Sequence, residues 1–246
     1  MRSHCLEVAG DFALFTRPEM KSERVSYDVI TPSAARAIFE AVLWKPAIRW
    51  QVSRIEVCRP IRWSTVRRNE VGAVATAGTI GAAMKAGKGH LELRIEDERQ
   101  QRAALLLRDV RYRLHANFER VDAPATQHGP RGPVVADAAE AQAWAEPETD
   151  AKYAAMFERR ARKGQCFNQP YLGAREFSCS FRLVDAMAEP FVPPDDLRGE
   201  RDLGWTLYDM DFGPPPHASP KPLFYRPLLR NGAIDVPARH SAEVRG

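Results

Sequence analysis

Apolar and polar positions along this chain alternate between a period of two and a helical period, and each change of rhythm marks an element. The cleanest alternation is DVRYRLHANFERV, residues 109–121. Val110, Tyr112, Leu114, Ala116 and Phe118 fall on one phase, and Arg111, Arg113, His115, Asn117 and Glu119 on the other. A strand sends these two sets to opposite faces, so one face packs and the other is polar and mostly basic. HCLEVAGDFALFT (4–16) predicts a first strand, with Gly10 at a bulge or a close backbone approach. In AIRWQVSRIEV, Ile48, Trp50 and Val52 alternate with Arg49 and Gln51, then the phase slips and resumes at Ile55 and Val57. One bulge explains the slip, and it leaves Trp50 in the core.

Two helices fall between the strands. Thr31-Pro32-Ser33 caps a helix that runs to about Lys45, where Pro46 ends it, with Ala34, Ile38 and Val42 on one side. Pro147 breaks any earlier start for the second helix, which begins near Thr149 or Asp150 and closes at Gly164. Residues 174–185 predict a further strand, 122–135 a Pro/Gly loop, and 137–150 an acidic stretch with no compensating cation. GAAMKAGKG, inside the Gly/Ala-rich span 71–90, has five residues between its glycines and no Ser or Thr after the lysine. It is not a phosphate-binding loop, whose mechanism depends on that spacing, and reads as a flexible hairpin tip.

The resulting fold class is α+β. The order is a ferredoxin-like (RRM-like) β-α-β-β-α-β domain over residues 1–185, with an inserted β-hairpin region at 59–108. Residues 186–246 are Pro-rich with short apolar segments (LGWTLYDMDF, PLFYRPLL, GAIDVP) and predict a small C-terminal β-sheet domain.

Composition narrows the function. The chain has 246 residues, 44% hydrophobic and 28% charged, with a net charge of +4, ordinary values for a globular protein with a real core. No apolar run of about 18 residues predicts a membrane span, and MRSHCLEVAGDFALF has no signal-peptide h-region, so the expected location is cytoplasmic. Cys5, Cys58, Cys166 and Cys179 form no CxxC pair and the six histidines no HxxxH spacing, so neither disulfides, a metal site nor a cofactor is expected.

The informative feature is where the charge sits. KYAAMFERRARKGQCFNQPYLGAREF (152–177) holds Lys152, Arg159, Arg160, Arg162, Lys163 and Arg175 against Glu158 as the only acid up to Arg175. Lys152, Arg159 and Lys163 share one side of the helix, and a single carboxylate cannot balance them, which points to an anionic backbone. Arg49, Arg54, Arg62, Arg67 and Arg68, mixed with Trp50 and Trp63, suit the same partner, as cations and stacking aromatics do together. Arg111 and Arg113 add the basic face of residues 109–121.

GDFALFTRPEMKSERVSYDVITPSAARAIFEAVLWKPAI, KGQCFNQPYLGAREF and GWTLYDMDF together resemble the CRISPR-associated Cas five family, subtype I-C (Dvulg type), of the RAMP superfamily. The resemblance covers most of residues 4–237. It implies a ferredoxin-like domain with a small β-sheet domain, and an endoribonuclease that cuts precursor CRISPR RNA at the base of its repeat hairpin. It also implies a protein that stays on the 5′ handle beside the large and backbone subunits of the type I-C complex. The implied cut is metal-independent, with a ribose 2′-hydroxyl as nucleophile. In the PYLGAREF loop, Gly173 would lie close to the RNA backbone and Arg175 near a phosphate.

Such a cut needs a proton acceptor for the 2′-hydroxyl, charge stabilisation at phosphorus and a proton donor for the leaving oxygen. In the family pattern the second helix opens with Lys then His, and a Tyr precedes the WKP. Here Lys152 matches, Tyr153 stands in place of the His and Leu43 in place of the Tyr. Three readings follow. Tyr153 orients the reacting groups beside Lys152; or His115 supplies the titrating imidazole; or the chain is mainly a handle-binding subunit. Duplex DNA is an alternative partner, since phosphate contacts alone bind either polymer.

Overall fold

The computed structural model describes residues 3–89, 91–121, 149–212 and 219–246. Its axis is one strand of 22 residues, β5 (Arg99–Arg120). The second half of β5 pairs with β1 (His4–Ala13) on one side and β3 (Ile48–Val57) on the other; β1 also pairs with β6 (Ser180–Val184). The spatial order β6-β1-β5-β3 is antiparallel throughout, the ferredoxin-like arrangement. The first half of β5 pairs with β4 (Arg62–Val71), forming a two-stranded arm, and in parallel with the short β2 (Arg24–Val25).

Two helices cover one face of the sheet. In α1 (Pro32–Val42), Thr31 accepts a hydrogen bond from the Ala34 amide at 3.3 Å and Pro32 opens the first turn. The helix stops at Leu43, which is extended at φ −145°, a little before the expected end. Ala35, Ile38, Phe39 and Val42 face the even positions of β5. Trp50 centres this core at 1% exposure, its Nε1 donating to the Leu43 carbonyl at 2.9 Å. Its ring lies 5.0 Å from Phe39, 4.7 Å from Phe157 and 5.2 Å from Phe118. Truncating an aromatic so placed costs roughly 3–5 kcal/mol.

The expected bulge in β3 is present, the register slipping between Val52 and Arg54. Gly10 is the close-approach case: β1 keeps its register with β5 across it, and a Cβ there would meet Leu172 Cδ1 at 2.6 Å. The arm tip differs from a bare flexible turn, because α2 (Ala77–Ala86) forms there, capped by Thr76 and ended by left-handed Gly87. Its Gly/Ala composition hides it from a periodicity reading, since it buries none of its residues. The strand expected over 174–185 is shorter: the Phe177 amide turns back to the Ala174 carbonyl at 2.9 Å, and pairing with β1 begins at Ser180. The loop expected at 122–135 and most of the acidic stretch lie outside the described residues.

The C-terminal segment supplies β7 (Glu200–Asp202), β10 (Leu228–Arg230) and β11 (Ala233–Asp235), which extend the main sheet beyond β3. β8 (Thr206–Asp211) and β9 (Lys221–Tyr225) form a separate hairpin. Arg36 of α1 holds that hairpin through both oxygens of Asp209, at 2.9 and 3.0 Å, and Arg239 reaches the same carboxylate at 3.2 Å. Among the described residues no helix is long and apolar enough to cross a membrane.

Candidate nucleic-acid interface

The second long helix, α3 (Asp150–Arg162), carries the cation cluster. Thr149 caps it, accepting from the Lys152 amide at 3.2 Å, and Asp150 places negative charge in the first turn, where it also meets Arg120 at 3.2 Å. Tyr153, Phe157 and Ala161 repeat every fourth residue and pack inward, joined by Ala154 and Glu158. The opposite side presents Lys152, Arg159 and Lys163, all exposed and without an ion pair among the described residues. Glu158 is occupied by Arg162 at 2.9 Å and lies 3.7 Å from buried His4. Arg160, also expected at the backbone, makes a contact within the protein. It folds back to donate to the Val42 carbonyl at 3.1 Å and so satisfies the end of α1.

The three candidate catalytic residues do not converge. Lys152 is exposed at the start of α3. Tyr153 is 2% exposed, its ring edge-on to Phe118 at 6.3 Å, because the inward stripe of α3 begins with it. So enclosed, it does not meet a phosphodiester directly, and Leu43 is likewise fully buried. His115 lies on the other side of the sheet: its neighbours Leu114 and Ala116 face the helices, so its own side chain faces away. There Nε2 lies 3.2 Å from Glu56 Oε2 and 3.8 Å from Cys5 Sγ. Burial opposes ionisation of Glu56, but hydrogen bonds from His115 and Arg54 outweigh it and hold the carboxyl below its ordinary range. Burial pushes the Cys5 thiol up to about 12, which favours its protonated form.

The remaining arginines divide in the same way. Arg54 is held by Glu56 at 3.1 Å and Asp235 at 2.8 Å, and Arg113 by Glu7 at 3.2 Å and Glu189 at 3.7 Å. Both are expected at RNA, and in the free chain both stitch the sheet face through carboxylates brought in from β1, β3, β11 and the loop after β6. Arg68 binds Glu176 at 2.6 Å, tying the arm to the PYLGAREF loop. Arg49, Arg67 and Arg175 are exposed with no ion pair among the described residues. On β4, Trp63 is 37% exposed and shares a face with Arg67 four residues on, a stacking surface beside a cation. Gly173 sits at φ +85°, and a Cβ there would collide with the Leu14 carbonyl. Its close approach is therefore to the protein's own β1 segment, where the Leu14 amide bonds the Leu172 carbonyl at 3.0 Å. Trp44, directly after the C-cap of α1 and the first residue of the WKP motif, is 44% exposed and adds a further aromatic to the surface.

The fold and this surface define a ferredoxin-like α+β protein with a basic helix face and a basic arm. The chain belongs to the family described as "CRISPR-associated protein (Cas_Cas5)", whose model matches residues 5–237. It is 45% identical over 244 residues, 98% of this chain and 97% of the relative, to the "CRISPR pre-crRNA endoribonuclease Cas5d" of Mannheimia succiniciproducens. A protein of the same description from Thermus thermophilus is 35% identical over 254 residues, covering 97% of this chain and 93% of the relative. A solved structure described as "Crystal Structure of CRISPR-associated Protein" superposes with a TM-score of 0.64 at 22% identity, covering 100% of this chain and 97% of that one, a likeness of fold.

Proposed function

We propose that this chain is an endoribonuclease that cleaves precursor CRISPR RNA within its repeat. The observation that carries this reading is the near-full-length likeness to pre-crRNA endoribonucleases, at 45% identity, in a chain whose α3 presents Lys152 exposed and without an ion pair among the described residues. The reaction is attack by a ribose 2′-oxygen on the adjacent phosphorus. The bond to the 5′-oxygen breaks, leaving a 2′,3′-cyclic phosphate and a 5′-hydroxyl. The Lys152 ammonium stabilises the charge that develops on the phosphoryl oxygens or the leaving oxygen, a contribution on the order of 10²–10³ in rate. Tyr153 serves by anchoring the first turn of α3 in the core, which fixes where Lys152 stands. Arg159 and Lys163 continue the track for the backbone, with Arg49, Arg67 and Arg175 as further contacts.

The test is cleavage of the chain's own repeat hairpin in chelator, with a substrate carrying a single 2′-deoxy nucleotide at the cut and with Lys152→Ala. Loss of cutting in both, with binding retained, supports the reading; equal cutting of the deoxy substrate overturns it. A second reading is favoured by the burial of Leu43 and Tyr153, so that neither position sets an exposed titrating group beside Lys152. In it the chain holds the 5′ handle and the large and backbone subunits of a type I-C complex in the cytoplasm, without cutting. Binding of the hairpin with no cleavage under any condition selects it, and preference for duplex DNA at matched salt overturns both.

A further inference from the structure

Where β3 ends at Val57 and β4 begins at Arg62, the connecting residues 58–61 cross β5 opposite residues 109–111. Asp109 takes φ +54°, a conformation non-glycine residues rarely adopt, and the two strands part there. The gap is a cleft of about 180 Å³ lined by Arg59, Pro60, Arg62 and Asp109. A smaller hollow beside it shares Arg59, Pro60 and Arg62 and adds Arg111.

The charge here is unbalanced. Arg62 lies directly opposite Arg108 in the β4–β5 register, an arrangement that is destabilising between strands unless something neutralises it. Among the described residues Asp109 is the only carboxylate lining the larger cleft, 3.6 Å from Arg62. Asp28, which lines the hollow, is engaged by Arg17 at 3.3 Å. Arg59 and Arg108 have no ion pair among the described residues, and Arg111 Nε is buried without a hydrogen-bond partner. The other like-charged pair in the same ladder is Arg68 opposite Arg102, where Arg68 meets Glu176 at 2.6 Å and Arg102 lies 3.9 Å from Glu70. At the cleft, Asp109 meets Arg62 alone, and Arg59 and Arg108 are left without a carboxylate among the described residues, so the arginines there outnumber the acid.

We infer that the cleft lined by Arg59 and Arg62, with Arg108 across the ladder from Arg62 and Arg111 in the adjoining hollow, is a binding site for a backbone phosphodiester of the RNA. Guanidinium groups present paired donors that match two phosphate oxygens at once, and a concave site holds one phosphate where a flat basic face holds none in particular. The site lies on the arm side of the sheet, so RNA seated there has left the α3 surface. The assignment rests on the nuclease reading for its ligand but not for its location.

The experiment measures hairpin affinity against salt for the wild-type protein, Arg59→Ala/Arg62→Ala, Arg59→Lys/Arg62→Lys and Arg108→Ala. The RNA is also made with single methylphosphonates, each neutralising one phosphate. The expected result is weaker binding by the alanine variants and a salt slope lower by roughly one per lost contact, with much of the affinity recovered in the lysine variant. One methylphosphonate should weaken the wild-type protein and add nothing in Arg59→Ala/Arg62→Ala, whose thermal melt verifies its fold. Wild-type affinity and slope in all alanine variants overturn the site. Protection of the wild-type fold by inorganic phosphate, lost in the variant while RNA affinity is unchanged, also overturns it, assigning the cleft to a free oxyanion. If the wild-type protein fails to cut the hairpin while the methylphosphonate scan still finds the contact, the nuclease reading falls and this site stands.

Discussion

His115 and Lys152 lie on opposite sides of one sheet: the strand that turns His115 toward Glu56 and Cys5 turns Leu114 and Ala116 toward the core that α3 covers. A single scissile phosphate cannot touch both. Lys152→Ala is therefore expected to lower single-turnover cleavage by about 10²–10³, whereas His115→Ala leaves the rate largely intact and acts through the Glu56 contact on stability. Equal losses in the two variants, with folding intact, would break this assignment.

Gly173→Ala tests whether that glycine serves the RNA or the fold. Its φ of +85° and the crowding by the Leu14 carbonyl predict a loss of at least ~2 kcal/mol in urea unfolding. RNA affinity measured on the folded fraction should change little. A stable variant that binds RNA poorly would return the residue to the interface.

Asp209→Ala removes the carboxylate that both Arg36 and Arg239 share and leaves two part-buried guanidiniums short of a partner. The expected cost is roughly 2–3 kcal/mol, with amide exchange rising first in β8 and β9. Uniform exchange across the chain would show that the hairpin does not open on its own.

Glu7 supplies a pH dependence. Burial opposes its ionisation, but hydrogen bonds from Arg182 and Arg113 outweigh that and hold the carboxyl below its ordinary value of 4.5. Because the folded value is depressed, the contribution is full above the unfolded value and is lost as pH falls through the folded one. Stability should decline below about pH 4.5, and Glu7→Gln should flatten that acid limb in equilibrium unfolding. An unchanged limb would mean that other carboxylates set it.

The sequence made some of this legible because local chemistry determines it. Thr149, Asp150 and Gly164 bracket α3 through their own hydrogen bonds and φ, and the phase slip in β3 is a bulge at the same place in the ladder. Lys152, Arg159 and Lys163 share a side because helical spacing requires it. What stayed hidden depends on distant partners. Nothing near Arg54 or Arg113 in the sequence shows that Asp235 and Glu189 will neutralise them. Arg160 looks like its neighbours until the end of α1 arrives beside it. Tyr153 and Lys152 are adjacent, yet a step of about 100° around the helix separates core from solvent.

The long strand β5 also sets the order in which the chain can fold. β1, β2, β3 and β4 form no ladder with one another; each pairs with β5, which begins at Arg99, and the contact of His4 with Ala116 spans most of the first half of the chain. During synthesis the N-terminal strands leave the ribosome with their hydrogen-bonding edges unclaimed until β5 follows. A delay there, from a slow codon run or a stalled ribosome, leaves several open edges together, so yield of this protein should depend on how promptly residues 99–120 are made.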